Sequence, residues 1–141
     1  MLAADRMGEV AIRKALSMPP LSLTTPEAFL TQQRATAPLG YASWNDDAKS
    51  HSETGETNFD ALKAFFGAPP PSELVDAIKS LDTPIQVVGG AKDLLSGNRP
   101  VRELAALFRN GAVTMIDNAG HYPWIDQPAA FRAAIAGWSG S

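Results

Sequence analysis

Two side chains carry the chemistry most clearly: the carboxylate of Gly89-Gly90-Ala91-Lys92-Asp93 and the imidazole of Asn118-Ala119-Gly120-His121-Tyr122-Pro123. Asp93 lies five residues beyond the apolar run Ile85 to Val88, and His121 lies five beyond Ala112 to Ile116. If both runs are parallel strands, their tips stand about 5 Å apart, and loops of this reach can bring carboxylate and imidazole together. A carboxylate bonded to one ring nitrogen fixes the tautomer and leaves the other nitrogen free to take a proton, as activation of a serine hydroxyl requires. Asp117 also follows the second run and is the rival acid. His51, the other histidine, sits in a polar run with no partner at useful spacing and reads as solvated surface.

The elements that would position these loops form two unlike regions. Residues 82–141 alternate strand and helix. Asp82-Thr83-Pro84 turns into the first strand, and Val101, Leu104, Ala105 and Phe108 mark one face of a helix that stops at Asn110-Gly111. The second strand follows, and Phe131, Ala134, Ile135 and Trp138 line a last helix begun near Pro128. Strand, helix, strand, helix predicts an α/β unit with parallel strands, whose exit loops share the carboxyl edge of the sheet where such folds place their chemistry. Gly89 and Gly90 are expected to let the chain leave its strand at positive φ.

Residues 1–81 read instead as helices separated by proline-rich turns. Helices are expected over Leu2 to Leu16, from Thr25-Pro26 to about Arg34, from a capping box at Thr57 and Asp60 to Gly67, and behind Ser72 through Leu74, Val75, Ile78 and Leu81. The stretch between Tyr41 and Asn58 is polar and turn-rich, a loop with one short helix.

Composition narrows the classes. The chain has 141 residues, 45% of them hydrophobic and 19% charged, and a net charge of −3. That is the size and balance of a globular domain, with no basic surface for nucleic acid. There is no cysteine, hence no disulfide, thiolate metal site or cysteine nucleophile. No run approaches the roughly 20 apolar residues that span a bilayer. A cytoplasmic protein without a metal or cofactor is expected.

Residues 82–138, with the Gly90-Ala91-Lys92-Asp93 and Ala119-Gly120-His121 loops in order and a helix between them, resemble the C-terminal part of an α/β-hydrolase of the esterase and proline-iminopeptidase-like group. The resemblance implies that Asp93 is the triad acid, that His121 is the triad base, and that residues 1–81 are a cap. Tyr122 and Trp124 beside the base, and Trp44 in the cap, are candidates for lining the substrate pocket. The family carries its serine in a Gly-x-Ser-x-Gly elbow upstream of the cap. None of the ten serines here has that setting. Two short parallel strands also cannot protect their own edges. The expectation is therefore the C-terminal half of a serine hydrolase for a small ester or amide, inactive alone. A second polypeptide, the N-terminal half, would complete the sheet and supply the serine and oxyanion hole. The alternative is a non-catalytic hydrolase-like binding or assembly module.

Overall fold

The structure, a computed structural model, describes residues 4–138. It is mixed α/β, with eight α-helices and one two-stranded parallel sheet among the described residues. Strand β1 (Ile85–Gly90) pairs with β2 (Gly111–Ile116) from Ile85 opposite Gly111 to Gly90 opposite Ile116. Helix α6 (Asn98–Leu107) makes the crossover and packs on both strands. It comes so close that a Cβ on Gly89 would stand 2.9 Å from a Val101 methyl. The opposite face meets α8 (Pro128–Ala136), reached through the single turn α7 (Pro123–Asp126). Gln86 projects to that side, where its Nε2 donates to Thr114 Oγ1 at 3.0 Å and to the Ala134 carbonyl at 3.3 Å. A polar residue in a central run of Ile and Val is thus satisfied across the strand pair.

The preceding region is helical, as its punctuation indicates, with three differences of detail. The expected first helix is divided into a short 3₁₀ turn, Ala4–Arg6, and α1 (Val10–Leu16), with the break at Met7-Gly8. Leu2 and Ala3 lie outside the described residues. Helix α2 (Pro26–Thr36) starts where expected, with Thr25 Oγ1 accepting the Ala28 N–H at 3.2 Å. The cap of α4 (Phe59–Gly67) is Asn58 rather than Thr57: its Oδ1 accepts the Ala61 N–H at 2.9 Å. Ser72 does not cap α5 (Leu74–Ser80); its hydroxyl donates to Glu73 Oε1 instead, at 2.6 Å. The polar stretch holds α3 (Asp46–Ser52), capped by Asn45.

The buried core lies between the two regions. Ile12 and Ala15 of α1 pack with Leu39 and Leu94, so the first helix is anchored to the loop that carries Asp93. Arg6 is buried beside them, donating to the Tyr41 carbonyl and bonded through Nε to Glu9 at 2.7 Å. By contrast, α4 and α5 bury no residue.

Candidate functional site

Asp93 and His121 meet at the carboxyl ends of β1 and β2. His121 Nδ1–H donates to Asp93 Oδ2 at 2.9 Å. The other carboxylate oxygen accepts the backbone N–H groups of Leu95 at 2.8 Å and Ser96 at 3.0 Å. The acid is therefore buried and fixed on both sides, in the arrangement Asp adopts at the head of a tight turn. The carboxylate bonded to the imidazole is that of Asp93; Asp117, the rival, is exposed at the turn after β2.

The imidazole is held at one nitrogen and open at the other. Its side chain is 39% exposed, and among the described residues Nε2 makes no hydrogen bond. The bond to Asp93 raises the His121 pKa above the ordinary 6.5, with the carboxylate charge acting in the same sense and partial burial opposing both. Ser96 Oγ lies 3.1 Å from Nδ1, on the nitrogen that already serves Asp93. It shares that N–H and does not face the free nitrogen, so it is not placed to surrender a proton to the ring.

Backbone contacts fix the two loops. A Cβ on Gly90 would lie 2.0 Å from the Gly120 carbonyl oxygen, and one on Gly120 would lie 2.5 Å from that of Gly40. Close approach, not positive φ, is what these positions require; positive φ among the described glycines occurs at Gly55 and Gly97. Asn118 takes the left-handed conformation at φ 53°, turning the chain out of β2 toward His121.

A strap from the N-terminal region, Leu39 to Ala42, lies across both loops. The Leu94 N–H donates to the Leu39 carbonyl at 3.1 Å, and the His121 N–H donates to that of Gly40 at 2.8 Å. Asp126 Oδ2 accepts the N–H groups of Ala42 at 2.9 Å and of Gly120 at 2.7 Å. Sequence reading missed Asp126, because Ala42 is far away in the chain and Gly120, though near, follows no helical or strand period, so both contacts become visible only in the fold.

An aromatic cluster adjoins the imidazole. The Tyr122 ring stands edge-on to His121 and also to His51, each at a centroid distance of 5.1 Å, and packs on Tyr41 at 5.1 Å. His51 is not the solvated residue its neighbours suggest. It is half-buried, and its Nδ1 is hydrogen-bonded to the Tyr41 hydroxyl at 2.7 Å. Burial pushes the Tyr41 pKa up to about 12, so that hydroxyl stays neutral. Burial, followed by the Asp93 charge, also raises the Tyr122 pKa. Among the described residues the Tyr122 hydroxyl has no hydrogen-bond partner.

Tyr122 and Trp44 line one cavity of about 830 Å³, together with Leu21, Phe29, Leu30, Arg34 and Leu95. Its size and mixed walls suit a small organic molecule. Trp124 stays outside it, packing between Tyr122 at 5.7 Å and Phe131 at 5.8 Å. Among the described residues no group of three His, Cys, Asp or Glu is arranged to hold a metal ion. No described helix is long and apolar enough to cross a membrane. No protein-family model matches the chain, and no curated protein matches it.

Proposed function

We propose that this chain supplies the acid and base of a serine hydrolase that cleaves an ester or amide of a small substrate. The observation that carries the reading is the 2.9 Å bond from His121 Nδ1–H to a buried Asp93, with Nε2 unbonded among the described residues and the neighbouring Tyr122 lining a cavity of about 830 Å³. In this reading Nε2 takes the proton of a serine hydroxyl as it attacks the carbonyl carbon, and returns it to the leaving alcohol or amine. Asp93 holds the tautomer and stabilises the charged ring. Tyr122 and Trp44 border the substrate. The serine and the oxyanion donors come from a second polypeptide corresponding to the N-terminal half of an α/β-hydrolase, which also extends the sheet beyond its two strands.

The test is to isolate the tagged chain from its native cells with whatever polypeptide accompanies it. Hydrolysis of nitrophenyl esters and aminoacyl nitroanilides is then measured, alongside labelling by a fluorophosphonate. The reading expects labelling on the accompanying chain. It also expects Asp93→Asn to lower kcat by about 10⁴ and His121→Ala to remove most turnover. Absence of labelling, or near-full turnover in either variant, refutes it. The cavity would then favour the second reading, a binding module without chemistry, since its walls exist whether or not a nucleophile is supplied.

A further inference from the structure

The Asp93–His121 pair is flanked by a second carboxylate that is hydrogen-bonded to neither ring nor acid. Asp126 lies in α7, and its Oδ2 accepts two backbone N–H groups from segments far apart in the chain: Gly120 at 2.7 Å, the residue before the imidazole, and Ala42 at 2.9 Å, the end of the strap. The next N–H along, that of His121, donates to the Gly40 carbonyl at 2.8 Å, so both amides leading into the imidazole are committed to the same assembly. The strap is in turn bonded to the acid loop through Leu94 at 3.1 Å. We propose that Asp126 is a positioning residue whose carboxylate clasps the strap to the histidine loop, so that His121 is held against Asp93 only while Leu39 to Ala42 is docked.

The physical basis is the type of bond. An ionised acceptor makes stronger hydrogen bonds than a neutral one. Among the described residues it is also the sole partner of the N–H of Gly120, a buried residue, so removing the carboxylate leaves that donor unpaired. The glycine crossing cannot replace it. Backbone atoms of Gly90, Gly120 and Gly40 touch there, which sets how close the loops come, but contact alone does not hold the strap down. This role concerns the geometry of the pair and stands whether or not the pair serves a hydrolase.

The experiment uses the full isotope-labelled chain and two readouts in NMR: the downfield resonance of the His121 Nδ1–H, and hydrogen exchange of the Ala42, Gly120 and His121 amides. Three variants are compared with it: Asp126→Ala, Asp126→Asn, which keeps a neutral oxygen at the same place, and Asp117→Ala as an exposed-carboxylate control. In Asp126→Ala, exchange of all three amides accelerates by about tenfold or more and the imidazole signal disappears while the fold is retained. Asp126→Asn recovers the signal at least in part, and Asp117→Ala matches the unaltered chain. An intact signal with slow exchange in Asp126→Ala, or loss in both Asp126 variants, overturns the proposal. If Asp126→Ala does not fold, exchange in the unaltered chain decides: the three amides opening together with one denaturant dependence support it, and independent opening overturns it.

Discussion

At the scale of the residue, His121 couples pH to stability and, in the proposed reaction, to reactivity. Its pKa in the folded chain is raised above 6.5, first by the bond to Asp93. A raised value means the folded state holds the proton more tightly than the unfolded one. The resulting stabilisation is present in full below 6.5 and disappears as pH climbs through the folded-state value. The loss of unfolding free energy caused by His121→Gln should therefore be larger at about pH 5 than at about pH 9, as read by urea denaturation at each pH. Exposure of the ring to solvent keeps that difference small. Proton acceptance runs the opposite way. In the proposed reaction the neutral ring is required, so the acidic limb of the kcat/KM profile should have its midpoint above 6.5, and a midpoint at or below it would contradict the bond's influence.

At the scale of the element, the strands and the order of the loops were legible because Ile85 to Val88 and Ala112 to Ile116 are apolar runs cut off by turn residues. Local competition blurred the rest. Thr57 and Asn58 are adjacent cap formers, and the helix starts after Asn58, placing Phe59 5.9 Å from Phe29. The first helix breaks at Gly8 although its apolar pattern continues, and an exposed glycine is a weak point in any helix. His51 and Asp126 were opaque because their partners, Tyr41 and the Ala42 and Gly120 amides, follow no helical or strand period. Gly89 and Gly90 were noticed for the wrong property, conformational freedom rather than slimness. This yields a direct test. A Cβ on Gly90 would overlap backbone atoms of Ala119 and Gly120, and backbone has no rotamer with which to yield. Gly90→Ala should cost about 1–3 kcal/mol in chemical denaturation and also disturb the His121 Nδ1–H resonance. Gly67→Ala, at the exposed end of α4 where nothing lies within 4 Å, should be neutral or stabilising by up to about 1 kcal/mol, never destabilising.

At the scale of the whole molecule, the apolar surface is unevenly covered. Around the strap the chain is well packed, yet Phe65 is 74% exposed and Phe66 64% exposed on a helix with no buried residue. Both edges of the parallel sheet are unpaired among the described residues. Open edges and bare aromatic rings invite association. The chain purified by itself should show a concentration-dependent mass in analytical ultracentrifugation. Replacing Phe65 and Phe66 together by Ser should reduce that association while shifting the denaturation free energy by no more than about 0.5 kcal/mol. An unchanged association constant would move attention from α4 to the strand edges.

The meeting of Gly40, Gly90 and Gly120 divides the molecule's tolerance to change. Acid and imidazole are placed by backbone atoms at this junction together with the Asp126 carboxylate, so their spacing should survive rewriting of side chains elsewhere but not enlargement of those three positions. The cavity walls at Leu30, Arg34 and Trp44 lie outside that junction. A lineage, or an engineer, is free to rewrite the walls of the hollow while the paired groups keep their separation.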